Sequence, residues 1–282
     1  MKPLTQTGAL HFVRSFGADT NVGNLSVVDF LDTLPSGGAL FSEGTPRFEQ
    51  LRDCLLRESE RSLLLSGNCY ARALEGLREC SVYWSVVGLY YASFFSLKAV
   101  LGMHGCWMDR PKRWIEVVEG NPGGQKLSYR TVKYPNNGGL TGSHQVTWVA
   151  FYEAMNHLAA WLTSPQAMLA INPVNASKTW MIDTRNDVNY DPLTAFQMMS
   201  EFQHTFNPDK LPSCFGGKLQ TMFQVAQAFV QFSKEMALNL GLKTDVCAPF
   251  LTRIDWCQQL LTAPQHTQLI AFAASEYSQL EY

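Results

Sequence analysis

The chain has 282 residues, enough to bury a substantial core, and a net charge of −2 that argues against general attraction to a polyanion. Hydrophobic residues make up 46% and charged residues only 16%, so much of the surface is left to uncharged polar groups or to a partner. Seven scattered cysteines with no CxxC pair and six dispersed histidines predict reduced thiols in a cytoplasmic protein, with no metal site and no cofactor.

Residues 1–44 are rich in Gly, Ser and Thr, with short alternating pieces such as Leu10-His11-Phe12-Val13. They predict a strand or irregular arm with a short helix at Val27–Leu34. Thr45-Pro46 has the form of an N-cap followed by a first-turn proline. Phe48, Leu51, Leu55, Leu56, Leu63 and Leu64 then follow helical spacing, and a helix is expected to about Cys80, with a break near Ser66-Gly67-Asn68. A second helix is expected at about Val82–Met103, ended by Gly102 or Gly105. Its apolar stretch is interrupted by Ser85, Ser93, Ser96 and Lys98, which reads as a buried helix and not a membrane span.

Residues 106–146 change character. Trp114–Val118 and Lys126–Val132 flank Asn121-Pro122-Gly123-Gly124, the pattern of a small β-hairpin. Helices follow at about Thr147–Leu162, Ser177–Asn189 and Leu193–Phe206. The Asp191-Pro192 step separates the last two, because the residue before proline avoids the α region. A long helix at about Lys218–Leu240 closes at Gly241, and two more are expected near Pro249–Leu261 and Gln265–Leu280. No motif for Ser-His-Asp or paired-carboxylate catalysis is present. The Gly-rich stretch at 120–126 lacks the ending of a phosphate loop.

The densest group of polar residues is Thr184-Arg185-Asn186-Asp187-Val188-Asn189-Tyr190. Arg185 is either a phosphate-gripping residue or a helix arginine paired with Asp183 or Asp187. Asn186 and Asn189 suit hydrogen bonding within a bundle. On a continuous helix Arg185 and Asn189 share a face. His157 lies where a cleft with Arg185 is within reach, whereas His144 and His204 read as structural histidines.

The helix carrying Tyr90-Tyr91-Ala92-Ser93-Phe94-Phe95-Ser96-Leu97-Lys98-Ala99-Val100-Leu101, the preceding segment Leu63–Leu74, and Arg185–Tyr190 near a later helix together resemble, in order, signatures of the HEPN superfamily. The resemblance covers roughly residues 47–205, with the hairpin as an insertion. It implies a mainly α HEPN-like bundle over 45–210, with a β insertion at about 106–146. Residues 1–44 would form an N-terminal arm, and residues 211–282 a C-terminal helical extension.

Active members are metal-independent ribonucleases in which two subunits bring an arginine and a histidine into one cleft. The histidine handles the ribose 2′-hydroxyl proton, and the arginine holds phosphate oxygens. Here no histidine follows Arg185 before His204. Asn189 does not titrate usefully, and Tyr190 starts from a reference pKa of about 10.

The expectation is therefore a divergent HEPN-like module that binds RNA, a nucleotide or a protein partner. It is expected to be a homodimer in a prokaryotic defence or toxin–antitoxin system, with no membrane and no metal. Arg185, Asn186 and His157 are the expected ligand contacts. The alternatives are an active ribonuclease using Arg185, Asn189 and Tyr190, and a structural subunit of a larger assembly.

Overall fold

A computed structural model describes residues 2–16, 26–35, 39–79, 81–110, 113–120, 127–132, 142–158, 177–205 and 217–242. The expected helices beyond Gly241, and the sequence boundary at 211, lie outside the described residues. The protein is mainly α-helical with a small antiparallel sheet. In chain order the elements are α1 (Gln6–Arg14), α2 (Val27–Asp32), β1 (Leu40–Ser42), α3 (Pro46–Arg78), α4 (Val82–Met103), β2 (Cys106–Arg110), β3 (Arg113–Glu119), β4 (Leu127–Val132), α5 (Ser143–Leu158), α6 (Trp180–Tyr190), α7 (Pro192–Thr205) and α8 (Gly217–Leu240).

The two longest central helices start and stop where their caps dictate. The Thr45 side chain accepts from Phe48 N and Pro46 occupies the first turn of α3. The break expected at Ser66-Gly67-Asn68 does not occur, because these residues serve helix packing. Ser66 Oγ donates to the carbonyl of Ala92 on α4 at 2.9 Å and lies 2.6 Å from Ser96 Oγ. Ser233 Oγ of α8 donates to Ser96 at 3.3 Å, so three helices meet at small hydroxyls that satisfy one another. Helix α4 is apolar around most of its circumference and buries Val86, Leu89, Tyr90, Leu97 and Val100. It is long and apolar enough to cross a bilayer, but most of that stretch is buried against α3, α8 and their neighbours. Gly105 ends it at φ 72°, and a Cβ there would meet Val117 Cβ at 2.7 Å.

Two features of the N-terminal half depart from the sequence reading. Leu10–Val13 is helical, not extended. Thr5 caps α1 by accepting from Gly8 N, and Ala9, Phe12 and Val13 fall on one buried stripe. The segment is also tied to the rest of the molecule. Leu4 N donates to the His104 carbonyl at 3.1 Å, Thr5 N donates to Glu119 Oε1 at 3.1 Å, and Phe12, Phe16, Phe30 and Leu31 enter the common core. The expected hairpin is present as β3–β4, in the register Trp114↔Val132 to Glu119↔Leu127, but it belongs to a four-stranded sheet of order β1-β4-β3-β2. Strands β1 and β2 are three and five residues long, too short to show a period of their own.

Alternation along the sheet decides what lies on each face. Trp107, Ile115 and Val117 join the main core, while Met108 and Trp114 pack with Val146 and Ala150 of α5. Helix α5 is thereby held against β2 and against α4, which brings its first turn to the middle of α4.

Candidate functional site

Three helices converge on Tyr90. Helix α4 supplies Tyr90, Phe94 and Lys98, spaced i, i+4 and i+8 on one side. Helix α5 supplies His144, Trp148 and Tyr152 at the same spacing. Helix α6 supplies Arg185.

The geometry is specific. The Tyr90 hydroxyl lies 2.7 Å from His144 Nδ1. The His144 ring stacks on Phe94 with centroids 4.2 Å apart and planes 11° apart, and Tyr91 meets it edge-on at 6.2 Å. Arg185 places its guanidinium carbon 4.8 Å from the centre of the Tyr90 ring, within cation–π range. Lys98 Nζ lies 4.3 Å from the Trp107 ring centre and 5.9 Å from that of Phe94. Behind the cluster Trp148 stacks on Tyr152 at 5.9 Å and meets Phe229 of α8 edge-on at 5.3 Å, which fixes the α5 side rigidly.

Burial and charge set the protonation states. Burial pushes the Tyr90 phenol up to about 12, with the Trp148 and Arg185 N–H groups opposing, so it stays protonated near neutrality. Burial holds His144 below its ordinary value, and the nearby charges of Arg185 and Lys98 push it the same way. His144 is therefore neutral at pH 7. Its Nδ1 is taken by Tyr90, while no described residue bonds its Nε2.

Arg185 is the least satisfied member. It is half-buried, and its Nε is fully buried with no acceptor. The two carboxylates that flank it in sequence are engaged elsewhere. Asp183 accepts from Thr179 Oγ1 at 3.0 Å, and Asp187 lies 3.7 Å from Lys218 Nζ. No described carboxylate pairs with Arg185, so the helix-arginine reading is not realised.

The other expected residues separate from the cluster or stay at its edge. Asn186 and Asn189 are half-buried on α6, and neither side chain bonds a described residue. Tyr190 ends α6 with 78% of its surface exposed, roughly 140° around the helix from Arg185. His157 falls in the last turn of α5, and its side chain lies outside the described residues, as does that of His204. Among the described residues, His144, read from the sequence as a structural histidine, is the one that the fold brings close to Arg185. The signal that was available for it is the spacing His144, Trp148, Tyr152. It was hidden because the apolar pattern of α5 begins only at Val146, four residues after the helix-opening Gly142 carbonyl that accepts its amide.

The described cysteines, Cys54, Cys69 and Cys106, are poor nucleophiles. Burial raises the Cys54 thiol to about 12 and Cys69 to about 11, and it pushes Cys106 up as well, which removes thiolate character. No family model, curated protein or solved structure matches the chain.

Proposed function

We propose that this protein is a HEPN-like binding module whose Arg185 site takes the phosphate of an RNA or a nucleotide. The observation that carries the reading is Arg185 itself, a half-buried guanidinium that rests on the Tyr90 ring, has an unpartnered Nε and pairs with no described carboxylate. A partly buried cation with no described counter-ion leaves its charge for a ligand to meet. Its planar fork matches two phosphate oxygens. Lys98 and His144 extend the cationic and donor character of the same place, and the partly exposed rings of Tyr91 and Phe95 offer a face for a base to stack on. The setting in a prokaryotic defence or toxin–antitoxin system, and the homodimer, follow only from the family resemblance.

A second reading is favoured by one specific observation, the closeness of His144 to Arg185. A neutral histidine beside a phosphate-binding arginine is the pair that metal-independent RNA cleavage needs. On this reading His144, in place of Asn189 or Tyr190, takes the 2′-hydroxyl proton as that oxygen attacks phosphorus and the 5′-oxygen leaves, with Arg185 stabilising the charge.

One assay separates the two readings. Fluorescently labelled RNA is titrated with the full chain in EDTA by anisotropy, and the same samples are run on a denaturing gel, beside Arg185→Ala and His144→Gln. Binding without cleavage that weakens at least tenfold in Arg185→Ala is the expected result. Cleavage lost in both variants would replace the binding reading with the nuclease. Neither binding nor cleavage would sink both.

A further inference from the structure

Tyr90 is completely buried, and its hydroxyl lies 2.7 Å from His144 Nδ1. A phenol can donate or accept in such a pair. The choice decides what His144 shows on its other side. If the phenol accepts, Nδ1 carries the histidine proton and Nε2 presents a bare lone pair, ready to act as a base. If the phenol donates, Nδ1 is the acceptor and Nε2 carries the proton.

The surroundings of the phenol oxygen favour donation. Two N–H groups act on it, the indole of Trp148 and the guanidinium of Arg185, beside the weaker effect of the neighbouring Tyr91. Both are donors with no acceptor capacity. Each also has a buried N–H without an acceptor, Trp148 Nε1 and Arg185 Nε, so the phenol oxygen is the natural place for their electrostatic attraction. An oxygen flanked by two such groups turns its lone pairs toward them and its proton away, toward His144. Lys98 and Phe94, also near the His144 ring, add no acceptor for a proton on Nδ1.

We infer that Tyr90 is a positioning residue that donates to His144 Nδ1, holds His144 in the tautomer with the proton on Nε2, and makes the Arg185–His144 pair a donor-only receptor for an ionised phosphate. The inference rests on the phosphate-binding reading and deepens it. A site of donors alone selects a ligand that only accepts, an ionised phosphate oxygen. It also disfavours the cleavage reading, since an Nε2 already carrying hydrogen cannot take the 2′-hydroxyl proton.

The test uses the full chain labelled with nitrogen-15. Two-bond proton–nitrogen correlation at pH 7.5 reads the His144 tautomer directly, with His144→Gln to assign its signals. Inorganic phosphate is then titrated into wild type and Tyr90→Phe. The expected result is an Nε2–H tautomer in wild type, a mixed tautomer in Tyr90→Phe, and phosphate affinity about fivefold to tenfold lower in that variant, the worth of one hydrogen bond. An Nδ1–H tautomer in wild type overturns the inference whether or not phosphate binds, and it needs no variant to be folded. The Nε2–H tautomer with no response to phosphate supports the Tyr90 device and overturns the phosphate reading instead.

Discussion

Two arginines in this chain have opposite relations to their surroundings, and their substitutions separate a functional cation from a structural one. Arg52 on α3 is 6% exposed, bonds Asp53 Oδ1 through Nε at 3.0 Å and also contacts Glu49. Removing it takes the Arg52 charge away from Asp53, itself 7% exposed. Breaking a buried pair in this way costs about 3–5 kcal/mol, and Arg52→Met is expected to lower the urea midpoint sharply. No described carboxylate pairs with Arg185, so none is stranded by its loss. Its loss forfeits a cation–π contact of about 1 kcal/mol but also removes a buried N–H without an acceptor, which costs about 1–3 kcal/mol to keep. The second effect is at least as large. Arg185→Met is therefore expected to leave stability within about 1 kcal/mol of wild type, or to raise it, while abolishing RNA or nucleotide binding. Paired urea unfolding and anisotropy measurements check this. A loss of stability for Arg185→Met as large as that for Arg52→Met would mean that Arg185 is structural.

At the scale of elements, the site depends on how closely α3 and α4 approach. Gly88 of α4 faces α3, where an added Cβ would meet Ala73 Cβ at 3.0 Å and the Cys69 carbonyl oxygen at 3.2 Å. Neither neighbour is the end of a flexible chain. Alanine in a helix gains about 0.5–1 kcal/mol over glycine, whereas overpacking a rigid contact costs about 1–3 kcal/mol. The steric term wins, and Gly88→Ala is expected to destabilise by about 1–2 kcal/mol, read as a lower midpoint at unchanged m-value. An increase in stability would show that the two helices separate freely.

The same helices show what was legible in the sequence. The bounds of α4 and the ends of α3 and α8 could be read because Thr45-Pro46, Gly105 and Gly241 are local chemical signals that act without tertiary help. Ser66 was misread as part of a helix break, because its hydroxyl is satisfied across an interface with Ser96 that a single sequence does not display. Strand β1 was invisible because its partner β4 lies far along the chain, and β2, although it pairs with the adjacent β3, is only five residues long. Arg185 stood out as a residue. Its partnership with His144 and Tyr90 did not, because three helices distant in sequence compose it.

At the scale of the whole molecule, the N-terminal segment, the central helix and the sheet meet at one buried histidine. His104 caps α4, is fully buried, donates from Nδ1 to the Val100 carbonyl at 2.7 Å, and accepts the Leu4 amide on its own carbonyl. Burial lowers its pKa to about 4, with the Val100 bond opposing. In the unfolded chain the same group titrates near 6.5. Between these values the unfolded state binds a proton that the folded state refuses, so stability is full above about pH 6.5 and falls as pH drops toward 4. The slope approaches about 1.4 kcal/mol per pH unit, a total of about 3 kcal/mol. That is a large part of the roughly 5–15 kcal/mol typical of a folded domain. His144 is depressed as well and adds in the same direction. The exposed Asp191 is held low by its bonds to Thr194 and Leu193, and it contributes only below the ordinary carboxylate range. Among the described groups, the shifts that act between pH 6.5 and 4 are those of His104 and His144. Urea midpoints measured at pH 7 and pH 5 should fall clearly on acidification. His104→Asn, which keeps a donor for the Val100 carbonyl but cannot titrate, should start lower at pH 7 and show a flatter slope. Equal midpoints for wild type at the two pH values would mean that His104 accepts a proton without disturbing the junction it occupies.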